Sequence, residues 1–177
     1  MLSTTTVKTM PRNLGSTRLG YLLCCAIIIV DQLTKFFVLQ YGYVLKKGIS
    51  ITPFFDLVLV WNRGISFGVF NDGNYGPIRT WGLIIITLIA IFALSIWLYR
   101  SKDTFSSLSL SMILGGAIGN LIDRLRFEAV IDFLSFHIDK FYWPAFNVAD
   151  TFITIGVAGL VIESLLLSKK RSTKYPN

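Results

Sequence analysis

Charge is scarce in this chain. Of 177 residues only 15% are charged, with ten acidic residues against seventeen basic ones. Histidine occurs once, at position 137, and cysteine twice, as the neighbours Cys24 and Cys25 inside an apolar run. Each shortage excludes something. Adjacent cysteines in a helix do not readily bond to each other and lack metal-site spacing, so they read as small apolar packing residues. A single imidazole leaves metal sites poorly supplied, and no metal is expected. A Ser–His–Asp machine would rest on Ser135 and His137, which would not face each other in a helix, and no nucleophile elbow is present. The low charge also excludes a soluble domain: 53% of the residues are hydrophobic and the mean hydropathy is +0.61, leaving too little polar surface for this length. The net charge of +7 forms no basic face or arginine-rich tract. Its residues cluster beside the apolar runs, so membrane lipids are the expected partner and nucleic acid is not.

Long apolar runs are what the chain has in abundance. Four stand out, at about Leu19–Tyr41, Thr80–Tyr99, Phe105–Ile122 and Phe146–Leu167. Each can cross ~30 Å of hydrocarbon at ~1.5 Å per residue, with some help from its flanks. The first is too long for a signal-peptide core and carries Asp31 and Lys35 instead of a small-residue cleavage site, so it is expected to stay as a span. Four spans put both termini on one side. That side holds nine of the seventeen basic residues, and "YRSKD" and the "SKKR" tail press theirs against span ends, which makes it the cytoplasmic side. The outer connection, residues 42–79, contains "ISITPFFDLVLVWNRG", a β-branched and aromatic run between Pro53 and Gly64, followed by the turn signal "NDGNYGP". The fold expected is an all-α membrane protein of four transmembrane helices in a single domain, with a small extracytoplasmic β-structure between the first and second.

Polar residues stand out against this background, all toward one end of the bundle. Asp31 and Lys35 in "DQLTK" are i and i+4, on one helical face, as either a structural pair or part of a site. Asn62 and Arg63 precede Gly64 in what is, taken alone, a turn. Gly115 and Gly119 are spaced to let a neighbouring helix approach closely. Asn120 and Asp123 share a face at the end of the third span, where an acid opposes the helix dipole and Arg124 suits it. Asp132 lies among Val130, Ile131 and Phe133. Asn147 and Asp150 open the fourth span as an N-cap and an acid three positions on, a variant of the capping box that is compatible with chemistry as well.

"GNLIDR", "VIDF" and "FNVAD", in this order, resemble the lipoprotein signal peptidase (signal peptidase II) family, and "DQLTK" and "NRGISFG" match its other two sequence blocks. The resemblance runs from about Leu19 to Leu167 and departs at Ile65 and Ser66, where the family often has two alanines. It implies an aspartic endopeptidase of the bacterial inner membrane that cuts diacylglyceryl-modified prolipoproteins just before the lipidated cysteine. The family's catalytic pair falls on Asp132 and Asp150. Its supporting polar residues carry over to Asp31, Lys35, Asn62, Asn120, Asp123, Arg124 and Asn147. A monomer needing no cofactor, with its site at the outer face, is the form expected.

Two carboxylates pressed together share a proton, giving an acid and a base from one residue type. Two rivals use the same residues otherwise. A small ion-coupled carrier would bind cations on intramembrane acids, but the second span has no charged residue. A lipid phosphotransferase would hold Mg²⁺ on Asp123, Asp132 and Asp150.

Overall fold

The computed structural model of the chain describes residues 14–64 and 76–174, with side chains described for 15–64 and 80–166. Among these, the order of elements is α1 (Leu14–Gln40), α2 (Gly42–Leu45), β1 (Ile49–Thr52), β2 (Phe55–Asn62), α3 (Gly76–Arg100), α4 (Thr104–Phe127), β3 (Val130–Ile138), β4 (Phe141–Tyr142) and α5 (Val148–Lys174). Four helices are long and apolar enough to cross a membrane: Gly15–Gln40, Thr80–Arg100, Thr104–Phe127 and Val148–Leu166. These are the four expected spans. The third runs on to Phe127 instead of ending at Ile122, so Asp123 and Arg124 are still helical. The "NDGNYGP" turn up to Tyr75, together with Ile65 and Ser66, lies outside the described residues.

Helix α4 is the centre of the bundle. Of its most apolar window 61% is buried, against 11% for α3 and for α5. Its composition explains this: serines and glycines along α4 leave room for backbones to close in, which is how helices associate where lipid is as apolar as leucine. A Cβ added at Gly115 would come within 3.0 Å of the Cys24 carbonyl of α1, and one at Gly116 would collide with the Ala149 carbonyl of α5. Cys24, Leu98, Leu110 and Leu114 form the apolar core, with Ile28, Ile91, Ile118 and Leu160 around it. Cys24 therefore packs as the sequence implies, while Cys25 faces outward. Leu22, Phe37, Ile86, Phe92 and Leu165 are exposed. A surface this apolar is stable only in hydrocarbon.

The β-structure expected between the first two spans is present as β1 and β2, and it continues further. The strand order is β1-β2-β3-β4, antiparallel throughout, so the connection between α4 and α5 supplies half of the sheet. That half was not legible as strand, because "VIDFLSFHI" is buried through its first four residues and so lacks the polar–apolar alternation of a half-exposed strand. Three further bonds tie the approach to α5 onto β3: Phe133 N and Leu134 N donate to Phe146 O at 3.0 and 2.9 Å, and Phe146 N donates to Leu134 O at 3.0 Å. The start of α5 is thereby fixed beside β3.

Candidate active site

Pleat and pairing decide where Asp132 points. It sits opposite Val60, and Asn62 sits opposite Val130, so Asn62 is its diagonal neighbour on the same face of the sheet. Asn62 Nδ2 donates to Asp132 Oδ2 at 2.9 Å, and Asn62 Oδ1 accepts from Gly64 N at 3.0 Å, which fixes the amide's orientation. From the other side Asn147 Nδ2 donates to Asp132 Oδ1 at 2.7 Å. Asp132 is only 1% exposed.

The opening of α5 forms the reciprocal capping box that its sequence implies. Asp150 N donates to Asn147 Oδ1 at 2.9 Å, and Asn147 N donates to Asp150 Oδ2 at 3.3 Å. Asp150 is partly buried, and its Oδ1 accepts from Asn120 Nδ2 at 2.8 Å. Asn147 Nδ2 also approaches Asn120 Oδ1 at 3.1 Å and Ile131 O at 3.3 Å. Asn147 thus touches both aspartates, capping one and donating to the other.

Asp31 and Lys35 pair at 2.8 Å, as their spacing suggests, and both are buried. The partner that Asp123 required comes from another helix: Lys35 Nζ lies 2.7 Å from Asp123 Oδ2. Asp123 also accepts from Gln32 Nε2 at 3.0 Å and from Ile131 N at 3.2 Å. Lys35 reaches Asn120 Oδ1 at 3.0 Å, and Asp31 Oδ1 accepts from Ala149 N at 3.0 Å. The cluster therefore joins α1, α4, the start of β3 and the start of α5. Arg124 is half-buried and near the three acids Asp123, Asp132 and Asp150, yet among the described residues it makes no ion pair at contact distance.

Asp132 and Asp150 line one cleft of about 740 Å³, with Asn62, Arg63, Trp143 and Thr151 among the other walls. Burial first, and then the charge of Asp150, push the Asp132 carboxyl up from 3.8 to about 7. It is poised to hold a proton at neutral pH. A second, apolar groove of about 690 Å³ lies alongside, lined by Phe54, Phe136, His137, Phe141 and Trp143 among others.

Some expectations need correcting. Ser135 and His137 were set aside as residues that would not face each other in a helix, but they lie in β3 and share a face of the strand. His137 is nonetheless engaged elsewhere: its Nε2 lies 3.3 Å from Asp56 Oδ2, and its ring stacks on Tyr142. Gln32 was missed. Its Nε2 spans Asp31 Oδ2 and Gly119 O, both at 3.2 Å, and Asp123, and only the adjacency to Asp31 in "DQLTK" hinted at it. Gly119 serves more than helix approach, because a Cβ there would lie 2.5 Å from Asp31 Oδ2. It makes space for a carboxylate.

The family model for signal peptidase (SPase) II matches residues 23–166. The chain belongs to the signal peptidase II family. It is 44% identical over 155 residues to the lipoprotein signal peptidase of Rhodopseudomonas palustris, covering 84% of this chain and 93% of the relative. Against that of Methylobacterium radiotolerans the identity is 41% over 161 residues, covering 90% and 92%. Two solved structures of a bacterial membrane enzyme, at 2.3 and 1.9 Å resolution, superpose with a TM-score of 0.74 each. They are 27% and 26% identical and cover 94% and 87% of this chain, in both cases 95% of their own. Family membership makes the chain a peptidase, and its four apolar helices make it a multi-pass membrane protein.

Proposed function

We propose that the chain is an aspartic endopeptidase that removes signal peptides from diacylglyceryl-modified prolipoproteins, cutting before the lipidated cysteine. The observation that carries this reading is that Asp132 and Asp150 line one cleft, with Asn147 hydrogen-bonded to both. Asp132, raised to about 7 by burial and by Asp150, holds the shared proton and gives a hydrogen bond to the scissile carbonyl oxygen. Asp150, at the positive end of α5, takes a proton from the attacking water as the general base. The tetrahedral diol collapses as the roles reverse, and the departing nitrogen leaves as an amine. No cofactor enters the scheme, and one copy of the chain carries every group it uses.

Arg63 lines the cleft and Arg124 lies near enough to feel the charge of both aspartates, so these two cations are offered to a lipid headgroup or the substrate backbone. The exposed Phe141, Tyr142 and Trp143 belong at the headgroup level, where such rings prefer to sit. The cleft then opens at the outer face of the inner membrane, and a substrate with two acyl chains enters from the bilayer. Binding Mg²⁺ through Asp123 is disfavoured, because that carboxylate already serves Lys35, Gln32 and Ile131 N.

The test is cleavage of a lipidated precursor, followed by gel shift in detergent. Asp132→Asn and Asp150→Asn are each expected to lower the rate by about 10³-fold or more, the scale of general acid–base loss, while EDTA leaves the wild type unaffected. Normal turnover by either purified variant, or equal cleavage of the unlipidated precursor, would defeat the proposal.

A further inference from the structure

We propose that Lys35 is a positioning residue for the aspartate pair, acting through the side-chain amide of Asn120. This rests on the two-aspartate mechanism above. An ammonium has three hydrogens and no acceptor. Its nitrogen meets three oxygens here: it pairs with Asp31 Oδ2 at 2.8 Å and with Asp123 Oδ2 at 2.7 Å, and it donates to Asn120 Oδ1 at 3.0 Å. The first two acceptors are carboxylates, alike at both ends. The third is an amide, whose two ends differ.

Because Lys35 only donates, Asn120 must meet it with oxygen. Asn147 Nδ2, at 3.1 Å, requires the same end. The NH₂ of Asn120 is then left facing Asp150 Oδ1 at 2.8 Å. Turning the amide over would set its NH₂ against an ammonium and another NH₂, and would leave Asp150 facing a carbonyl oxygen. The buried charge on α1, with Asn147 Nδ2 beside it, thus fixes which end of an α4 amide is offered to α5. The consequence is a permanent donor on Asp150, which keeps the shared proton on Asp132. Joining α1 to α4 would not by itself call for a buried charge, since well-packed apolar residues commonly hold helices as well or better.

Among the described residues, the charged groups around the pair are Lys35 and Asp31 of α1, Asp123 and Arg124 of α4, and Arg63 beyond β2. The experiment leaves their summed charge unchanged. Asn120→Leu removes the amide and no charge. Lys35→Met combined with Asp123→Asn removes one charge of each sign. The pH profile of kcat is measured for each, and for the triple variant, on a lipidated precursor.

Loss of one hydrogen bond to an ionised acceptor is expected to lower kcat by about 10- to 100-fold and to move the acid limb of the profile about one pH unit higher. The Lys35 variant is expected to give a displacement no larger than that of Asn120→Leu, since Asn147 Nδ2 still calls for the oxygen end, and the triple variant no more than Asn120→Leu alone, because both act through one amide. An unmoved acid limb, or displacements that add in the triple variant, would overturn the proposal. Asn120→Leu keeps the ion pairs of the cluster, so it decides the matter even if the Lys35 variant does not fold: an unmoved limb there is sufficient to overturn it. Normal cleavage by the aspartate variants would instead remove the mechanism beneath, and the two failures are distinguishable.

Discussion

Burying Asp132 to 1% exposure beside Asp150 raises its carboxyl from 3.8 to about 7, so the folded state binds its proton more tightly than the unfolded chain does. Between about pH 4 and pH 7 the native protein therefore carries more protons, and stability falls as pH rises through that window and levels off above it. At about 1.4 kcal/mol per unit the loss is on the order of a few kcal/mol. Asp132→Asn cannot ionise and escapes this loss, less about 1 kcal/mol for the donor that loses its acceptor. Thermal unfolding in detergent is expected to show the variant several degrees more stable than wild type near pH 8, with the difference shrinking toward pH 4. An equal difference at both pH values would show that Asp132 bears no such burden. The residue proposed for the chemistry is placed against stability.

The helices meet through what their glycines leave out. A Cβ at Gly119 would stand 2.5 Å from Asp31 Oδ2, and one at Gly116 would strike the Ala149 carbonyl, whereas one at Gly82 meets nothing within 4 Å. Gly116→Ala and Gly119→Ala are expected to cost about 1–3 kcal/mol each through overpacking. Gly82→Ala is expected to be neutral or to stabilise by up to about 1 kcal/mol, since a helix interior favours alanine. Melting temperatures in one detergent rank the three. Gly119→Ala should also slow cleavage more than Gly116→Ala, because it displaces Asp31 from both Lys35 and Ala149 N. Similar activity in the two would separate the Asp31 cluster from the cleft.

Among the described residues the buried charged groups, Asp31, Lys35, Asp123 and Asp132, gather at one end. Chain direction brings them together: α1 and α4 run toward the sheet, α5 starts from it, and these residues stand at those helix ends or on β3. The start of α1, the end of α5 and the short turn between α3 and α4 lie at the other end, with Asp103 capping α4 through Ser106 N at 2.7 Å. With both termini proposed as cytoplasmic, alkaline phosphatase fused after Asn177 is expected to be inactive in cells, and the same reporter fused after Gly64 active. The reverse pattern would place the cleft on the cytoplasmic side and rule out the proposed route for an exported precursor.

Composition and spacing by themselves determined the spans, because the hydrocarbon thickness sets a length and an apolar content that a sequence displays openly. They determined the Asp31–Lys35 pair and the Asn147–Asp150 cap as well, since i,i+4 and i,i+3 contacts follow from helix geometry alone. The partner of Asp123 could not be read, because Lys35 lies on another helix and comes near only once α1 packs on α4. The strand character of residues 130–138 was hidden for a related reason: burial on both faces erases the alternation by which strands are recognised. The meeting of Asp132 with Asn62 and Asn147 depends on sheet register and on the bonds between Leu134 and Phe146. Those are contacts between distant parts of the chain, and only the tertiary structure could decide them.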